Sequence, residues 1–365
     1  MATSKALVTR VIEGKAKLEL QEVPLSSYKI SETQVLVRVE SVAQNPVDGK
    51  FKSEVMVNAM LTHRTVQTLD SNAFGEGAVL GCDFVGQVTQ VGETVSSLKI
   101  GDRIAGLIWG GETKGLGAYS QYTVAEEKIC FKVPEQVSPD DAVTVPLAAA
   151  TAWLALFSSR CLNISRKDSI ASPVLIWGGS SSVGQYAIQL ARIFSIPVVT
   201  VCSPGHFDRC KSLGASYTFD YKDENVVQDI RAAVPDLQHV FDCIGQGSSS
   251  TQSSQAITGN GGALCTVRPG KTATEGVGKT VRISDVFVWT AFLKDYRLPS
   301  LEYLASEEDH KLATELFSKI PAWLIDGTLV TNTAKVVPGG LESVSEGFRM
   351  HRAGEISGVK LVYNI

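Results

Sequence analysis

The segment 174–187 constrains the fold of this chain more than any other, because an apolar strand runs through a turn of small residues into an apolar helix. Short apolar strands and helical spacings then alternate along the chain. Strands are expected at 174–176, 197–201, 239–242 and 263–267, and helices at 183–194 and 207–214. This alternation predicts an α/β domain built on a parallel, doubly wound sheet.

The residues before this domain carry a different pattern. Apolar and polar residues alternate at 34–42, 85–91 and 119–124, which indicates half-buried strands and an antiparallel, barrel-like module. The pattern changes at an apolar helix expected over 146–156, and residues 52–80 form a weakly patterned segment, a candidate lid or substrate-facing wall. We therefore expect one domain at 1–146, a second at 147–320 and a final segment at 321–365 with a strand, a helix and a further strand.

Composition excludes several classes of protein. The net charge is −4, so a basic face for nucleic acid is not expected. No run of about 18 apolar residues predicts a membrane span, and the amino-terminal residues lack the features of a signal peptide. The 7 cysteines are scattered and contain no C-x-x-C pair. Reduced, mostly buried thiols in a cytoplasmic protein are therefore expected.

The turn after the 174–176 strand is suited to a dinucleotide diphosphate. Small residues allow the diphosphate to approach the backbone closely, and the start of the helix supplies the positive end of its dipole. Ser180, Ser181 and Ser182 add hydroxyl donors. Ser181 stands where the G-x-G-x-x-G pattern has its second glycine, so a plain strand-to-helix turn remains an alternative.

The strand that follows this turn distinguishes between the two nicotinamide cofactors. It ends at 201–206 without the acid that holds the ribose of NADH, and Ser203 can donate to a 2′-phosphate. Positive charge is available from His206, Arg209 or Lys211, although each of these is also an ordinary solvated side chain. The pattern favours NADPH over NADH.

At this point the residues resemble a known family. The sequence is similar throughout to the zinc-independent quinone-oxidoreductase branch of the medium-chain dehydrogenase/reductase superfamily, and within it to the fungal trans-acting enoyl reductases of polyketide synthesis. The resemblance implies a GroES-like barrel domain followed by a Rossmann domain, with the final segment returning to the first domain. It is carried by motifs that begin at Asn45, Gly81, Gly101, Gly117, Trp177, Cys202, Phe219, Asp242 and Ser357.

Matched position by position, the resemblance also implies site residues. The residues expected around the cofactor are Val47, Asp48, Gly49 and Lys50 near the nicotinamide; Ser180, Ser181, Ser182 and Val183 at the diphosphate; Ser203, Pro204, Gly205, His206 and Tyr221 at the 2′-phosphate; Val267 and Arg268 beside the nicotinamide; and Gly358 and Val359 closing the site. His206 replaces the lysine usual in quinone oxidoreductases. The residues expected along an acyl substrate are Thr151, Ala152, Trp153, Leu154, Ala155, Leu156, Phe157, Ser158, Ala291, Phe292, Leu293, Lys294 and Asp295.

No metal is expected. The first motif, at 45–48, has no thiol, and Cys82 and Asp83 alone do not make the three protein ligands of a catalytic zinc. A site without a Lewis acid suits reduction of an activated C=C bond, in which charge develops on a carbonyl oxygen. Lys50 is the side chain expected to position the cofactor or supply a proton, with a solvated lysine as the alternative. Tyr119, Tyr122 and solvent are further proton sources, and both tyrosines also suit structural roles.

Three functions remain open from the sequence. The first is an enoyl reductase that acts in trans on a chain carried by a polyketide synthase. The second is a reductase of free quinones or enones, and the third is a non-catalytic nucleotide-binding relative. Turnover of an enoyl thioester would identify the first function, turnover of a quinone the second, and absence of NADPH binding the third. A monomer is favoured and a dimer remains possible.

Overall fold

The structure is a computed structural model that describes residues 2–13, 15–50, 75–167, 172–259, 261–298 and 301–365. The chain forms two compact units. Unit 1 contains Met1–Leu147, Phe292–Ala305 and Phe317–Ile365, and unit 2 contains Ala148–Ala291 and Ser306–Leu316. Most of the candidate lid at 52–80 lies outside the described residues.

The regular elements are numbered here in chain order. The strands are β1 (Thr3–Ile12), β2 (Lys15–Pro24), β3 (Gln34–Ala43), β4 (Asp83–Val91), β5 (Arg103–Leu107), β6 (Tyr122–Glu126), β7 (Cys130–Lys132), β8 (Val174–Trp177), β9 (Val198–Cys202), β10 (Tyr217–Asp220), β11 (His239–Asp242), β12 (Ala263–Thr266), β13 (Arg282–Asp285), β14 (Tyr296–Leu298), β15 (Leu301–Tyr303), β16 (Thr333–Val336) and β17 (Val359–Asn364). The helices are α1 (Pro46–Lys50), α2 (Pro139–Ala142), α3 (Pro146–Phe157), α4 (Ser182–Ile193), α5 (Phe207–Leu213), α6 (Val226–Ala233), α7 (Ser249–Gln255), α8 (Glu307–Ile325) and α9 (Val344–Arg352).

Unit 1 is built on a mainly antiparallel sheet. Its strands follow the order β16-β17-β3-β4-β5-β7, and β6 pairs with β3. Only the β16–β17 pair is parallel among these pairings. A hairpin of β1 and β2 and a shorter hairpin of β14 and β15 complete the strands of this unit. The period-two alternation at 34–42 and 85–91 therefore corresponds to β3 and β4, and the GroES-like expectation is confirmed.

Unit 2 contains a parallel sheet of 6 strands in the order β10-β9-β8-β11-β12-β13. Every residue of β8, β9 and β12 is buried, as expected for a parallel sheet covered on both faces. Leu175, Val199, Val240 and Leu264, from four of these strands, share one hydrophobic core. The strand order reverses direction between β8 and β11, as in doubly wound nucleotide-binding folds, and the Rossmann prediction is confirmed.

The segment Phe292–Ala305 differs from the expected division of the chain. The sequence-based boundary at 320 assigns it to the second domain, whereas it belongs to unit 1. It carries the β14–β15 hairpin, and the Tyr296 ring lies 4.9 Å from the Trp109 ring of the same unit. An ion pair between Lys294 and Glu112 adds a second contact within this unit. Burial of the large Tyr296 side chain therefore determines that the segment belongs to unit 1. The local sequence pattern does not reveal this packing.

One apolar stretch among the described residues is long enough to cross a membrane. It covers Pro139–Phe157, which includes α2 and α3, and has a mean hydropathy of 1.2. Within the fold, 89% of this stretch is buried. Its apolar side chains pack in the protein interior, as those of a core helix do.

Candidate functional site

The turn of small residues lies at the carboxyl end of β8. This strand pairs with β9 on one side and with β11 on the other, so the turn occupies the point where the strand order reverses. Ligands of doubly wound sheets bind at such a point, outside the carboxyl ends of the strands. Residues 180–183, which are predicted to bind a diphosphate, lie at this edge of the sheet.

Two glycines of this turn are sterically required. A Cβ on Gly179 would lie 2.1 Å from Oγ1 of Thr200, and a Cβ on Gly184 would lie 2.3 Å from the Gly178 carbonyl oxygen. The Thr200 hydroxyl is fixed in this position because it donates to the Ile176 carbonyl oxygen at 2.7 Å. The turn is therefore closed against β9 and against the start of α4, and its outer side is lined by small residues.

The start of α4 provides an anion-binding geometry. Ser181 is the N-cap, and its hydroxyl accepts a hydrogen bond from the Gly184 N–H at 3.0 Å. The remaining N–H groups of a first helical turn point along the axis without intrahelical acceptors, and the helix dipole adds positive potential there. α4 is 12 residues long, and Ser180, Ser181, Ser182 and Val183 are only partly buried. These residues fit a dinucleotide diphosphate.

A second candidate segment follows β9 and is joined to the turn by hydrogen bonds. Ser203 leads into a single 3-10 turn, Pro204–His206, before α5 begins. Arg209 of α5 donates through Nε to the Gln185 side-chain oxygen at 3.2 Å, and the Gln185 side-chain nitrogen donates to the Ser180 carbonyl oxygen at 3.2 Å. Sequence analysis did not identify Gln185, because a glutamine in an amphipathic helix carries no distinctive pattern.

The ends of neighbouring strands bring Tyr221 towards this segment. β10 and β9 are parallel, with Asp220 opposite Cys202 in the register. Tyr221 and Ser203 are therefore the next residues beyond a pair of adjacent strand ends. The Tyr221 side chain is 44% exposed, and Pro204 and Gly205 are exposed as well. Ser203 and Tyr221, both expected around a 2′-phosphate, therefore lie at the same edge of the sheet, where the strands end.

A third loop of this edge is organised by a buried carboxylate. Asp242 ends β11, is 0% exposed, and accepts hydrogen bonds from the Ile244 and Gly245 N–H groups at 2.9 and 3.0 Å. The Ser249 and Ser250 hydroxyls donate to its other oxygen at 2.7 and 2.6 Å. These four donors satisfy the buried charge and fix the loop after β11.

The loop fixed by Asp242 in turn holds one of the predicted nicotinamide residues. Nε of Arg268 donates to the Gly245 carbonyl oxygen at 2.6 Å, and Nη2 donates to the Gln246 side-chain oxygen at 3.3 Å. Val267 precedes it, directly after β12, and both residues are partly buried. The guanidinium therefore has a structural partner in the neighbouring loop, a pairing that sequence pattern alone did not indicate.

Unit 1 contains a separate cluster of buried polar side chains around α1. The Asp48 carboxylate accepts from the Tyr119 hydroxyl at 2.7 Å, the Cys82 thiol at 3.0 Å and the Asn45 N–H at 2.8 Å. Burial raises the pKa of Asp48 to about 6, although the three hydrogen bonds oppose this. Burial and the nearby Asp48 carboxylate also raise the pKa of Cys82 and of Tyr119. Tyr119 therefore keeps its proton and donates it inside the unit.

A buried ion pair lies beside this cluster. Nζ of Lys360 is 2.6 Å from Oδ2 of Asp83, and their side chains are 2% and 0% exposed. The Asn45 side-chain amide donates to the same oxygen at 2.8 Å, and the Leu147 N–H donates to the other at 2.7 Å. Asn45 thus connects the carboxylates of Asp48 and Asp83. The network fixes α1, which carries Val47, Asp48, Gly49 and Lys50, against β4 and β17.

The titration of Asp48 gives a testable pH dependence. Its pKa is about 6 in the folded protein, above the ordinary value of 3.8 for an aspartate side chain. The folded state therefore binds the proton more tightly, and the stability linked to protonation is lost as the pH rises from about 4 through 6. Between pH 5.0 and 7.5, wild type should lose about 1.4 kcal/mol of unfolding free energy relative to Asp48→Asn. Denaturant unfolding of both proteins at both pH values measures this, and parallel pH profiles would contradict it.

Several predicted site residues lie in well-packed surroundings. In α3, Trp153 packs edge-on against Phe157 at 4.7 Å between ring centroids, and both rings also pack against Phe194. The Ser158 hydroxyl donates to Asp309 at 2.7 Å. The Ala291 carbonyl oxygen lies 2.7 Å from Nδ1 of His310. Substrate contact by 151–158 and 291–295 stays a prediction.

The remaining predicted residues fall at element ends. Gly358 has a φ of +67° and directly precedes β17, which begins at Val359. Both are partly buried, and their contact with a cofactor stays a prediction. The Lys50 side chain lies outside the described part of the structure, so its proposed role stays a prediction as well. Tyr122 is partly exposed, and its ring lies 6.3 Å from that of Tyr28.

Metal-ligating side chains are not grouped in the described ranges. No set of three or more His, Cys, Asp or Glu side chains there could hold a metal ion. Cys82 donates to Asp48, and Asp83 is paired with Lys360. These described side chains do not fit a catalytic zinc site, which requires three protein ligands and an open position.

Comparison with known proteins agrees with this architecture. The family described as "Alcohol dehydrogenase GroES-like domain" matches residues 31–135, and that described as "Zinc-binding dehydrogenase" matches 182–284. A trans-enoyl reductase of Gibberella fujikuroi is 32% identical, with 90% of this chain and 91% of that protein covered. A trans-enoyl reductase of a Penicillium species is 30% identical, covering 100% and 98%. The crystal structure of CurK enoyl reductase superposes with a TM-score of 0.72 at 20% identity, covering 99% and 98%.

Proposed function

Because the chain belongs to the medium-chain dehydrogenase/reductase superfamily, with fungal trans-enoyl reductases among its relatives, we propose that it reduces the C=C bond of an enoyl thioester with NADPH. We propose further that the substrate is a polyketide chain held on the carrier domain of a separate synthase. The observation that carries the proposal is identity of at least 30% to these reductases over 90% or more of both chains.

The turn after β8 supports binding of a nicotinamide dinucleotide. Gly179 and Gly184 leave no room for side chains, Ser181 caps α4, and the turn lies at the reversal point of the parallel sheet. The geometry therefore favours a working nucleotide site over a plain connecting turn.

The end of β9 supports NADPH rather than NADH. No acidic side chain stands in the 201–206 segment, where an NADH enzyme places an acid for its ribose. Ser203, His206 and Tyr221 lie at neighbouring strand ends, and Arg209 adds a positive charge that is already hydrogen-bonded to Gln185. Asp220 is the nearest acid on β10, and its Oδ1 accepts from the Lys222 N–H at 3.0 Å. That bond turns its carboxylate towards its own loop.

Residues 47–50 of α1 are the ones that we propose to lie near the reacting end of the cofactor. When bound, NADPH supplies a hydride to the β-carbon of the enoyl thioester. Asp48, Asp83 and Lys360 hold α1 rigidly, so that the backbone of 47–50 keeps one geometry. Tyr119 holds its proton in a bond to Asp48. This favours solvent as the source of the proton that reaches the α-carbon.

The test is an assay of NADPH oxidation by the purified protein. A short enoyl thioester, the same acyl group on a carrier protein, and a simple benzoquinone are compared, each with NADPH and with NADH. We expect turnover of both thioesters, faster turnover on the carrier, and at least a tenfold preference for NADPH. Each tenfold preference corresponds to about 1.4 kcal/mol of differential binding.

Three outcomes would contradict all or part of the proposal. Turnover of the quinone without turnover of either thioester would make the protein a quinone reductase. Failure to bind NADPH in a fluorescence titration, with the protein shown to be folded, would make it a non-catalytic relative. Equal rates on free and carrier-bound thioesters would remove the proposed action in trans and leave enoyl reduction in place.

A further inference from the structure

Two cysteines flank the loop that follows β9. Cys202 is the last residue of β9, and Cys210 lies in the middle of α5. Their sulfur atoms are 3.6 Å apart, and the residues are 3% and 0% exposed. Both are reduced in this structure. A disulfide has an S–S distance of about 2.05 Å, so the two sulfurs need to approach by about 1.5 Å to form one.

The loop between these thiols is short and open on its outer side. It consists of Ser203 and the 3-10 turn Pro204–His206, closed by a hydrogen bond from the His206 N–H to the Ser203 carbonyl oxygen at 2.9 Å. Pro204 and Gly205 are exposed, and no heavy atom lies within 4 Å of the position of a Cβ on Gly205. The loop therefore has room to move on its outer side, and a small oxidant reaches the two buried thiols only when the loop moves.

The electrostatic surroundings distinguish the two thiols. The hydrogen bond between them and the positive charge of Arg209 lower the pKa of Cys210, whereas the same hydrogen bond raises the pKa of Cys202. Burial raises the pKa of Cys82, Cys130 and Cys243. Because the thiolate is the reactive form of cysteine, the positive charge of Arg209 favours Cys210 as the attacking group.

We propose that Cys202 and Cys210 form a reversible disulfide across the Ser203–His206 loop, and that this modification weakens NADPH binding. The second part rests on the function proposed above, because it takes the loop to be the site of the 2′-phosphate. The disulfide closes the strand end, the loop and the first turns of α5 into one small covalent ring. α5 also carries Arg209, which is hydrogen-bonded to Gln185 of α4.

A peroxide is the oxidant class that balances the reaction. The Cys210 thiolate attacks one peroxide oxygen, the O–O bond breaks, and the other oxygen leaves as water after taking a proton, giving a sulfenic acid. The Cys202 sulfur then attacks the Cys210 sulfur, the S–O bond breaks, and the released hydroxide takes the Cys202 proton to form a second water. Two thiols lose two electrons, and one peroxide is reduced to two waters.

The expected consequence is a loss of affinity for the phosphate end of the cofactor. An approach of about 1.5 Å between the sulfurs displaces the start of α5 relative to the end of β9. Hydrogen bonds to phosphate oxygens are short and directional, so a displacement of this size breaks them. We expect the Kd for NADPH to rise at least tenfold on oxidation and to return to its original value after reduction with dithiothreitol.

The experiment has two independent measurements on the full-length protein. Peptide mapping after treatment with hydrogen peroxide determines whether Cys202 and Cys210 become linked. Fluorescence titration of NADPH before oxidation, after oxidation and after reduction determines the effect on binding. The Cys210→Ala and Cys202→Ala variants should keep reduced-state affinity close to wild type and should lose the response to peroxide.

Controls separate this pair from the other thiols. Cys161 is hydrogen-bonded to Cys265 in unit 2 and remains present in both variants, so oxidation there would persist in them. Cys130→Ala, which removes a buried thiol in unit 1, should respond to peroxide as wild type does. Absence of a 202–210 link in wild type, or a link with unchanged Kd, would overturn the proposal. If reduced wild type binds no NADPH, the proposed function fails, and so does the effect on binding, while the map still decides whether the disulfide forms.

Discussion

Gly184→Ala will remove measurable NADPH binding while leaving the rest of the protein folded. The added methyl group would lie 2.3 Å from the Gly178 carbonyl oxygen and 2.9 Å from Cα of Gly179. Both are backbone atoms, so the clash is relieved only by opening the turn that holds Ser181 as the cap of α4. We expect the Kd for NADPH to rise at least a hundredfold, about 2.7 kcal/mol, in a fluorescence titration.

A second glycine variant distinguishes the effect of the steric clash from the effect of any Gly→Ala change. Gly278 is exposed, has no positive φ, and has no heavy atom within 4 Å of the position of its Cβ. Gly278→Ala should bind NADPH as wild type does. Circular dichroism of both variants checks that they are folded. Wild-type affinity in Gly184→Ala would show that the turn after β8 is not the diphosphate site.

Lys360→Met will cause a large loss of stability. The change leaves the Asp83 carboxylate, which is 0% exposed, without its cation. The Asn45 amide and the Leu147 N–H still donate to it, but neither carries a charge. Breaking a buried ion pair by removing one partner costs about 3–5 kcal/mol, and denaturant unfolding should show a loss of that size.

The double variant tests whether the loss comes from the unpaired charge. Asp83→Asn with Lys360→Met removes both charges of this ion pair and should recover a large part of the stability. An exposed pair serves as the comparison, since Lys311 and Glu307 are 75% and 81% exposed and lie 3.2 Å apart. Lys311→Met should unfold as wild type does. A double variant as unstable as Lys360→Met would mean that packing, not charge, holds this site together.

The sequence predicted the parallel sheet well for a physical reason. β8, β9 and β12 are buried throughout and mostly apolar, and β11 is buried over its last three residues. All four strands lie within one residue of the expected spans at either end. β10 was not expected, because it lies at the sheet edge, is partly exposed, and mixes polar with aromatic residues. α8 was not expected either, since Pro321 interrupts its sequence.

The candidate site was only partly predictable. The turn at 178–184 is local, and its strand–turn–helix context is visible in the sequence. The supporting side chains are not local: Asp48 and Tyr119 are 71 residues apart, and Asp83 and Lys360 are 277 apart. Asp242 ends a predicted strand, yet its four donors come from a loop and a helix whose geometry no spacing specifies. Pairings of this kind depend on the tertiary fold.

The position of β17 has a consequence for the order of assembly. This strand, Val359–Asn364, lies between β3 and β16, and it carries the lysine that neutralises Asp83. During synthesis the residues of unit 2 are therefore all translated before β3 has β17 as a partner. The amino-terminal part of unit 1 is translated first, so its strand edges stay unpaired and its Asp83 carboxylate stays without a cation for the longest time. This makes it the part most dependent on chaperones.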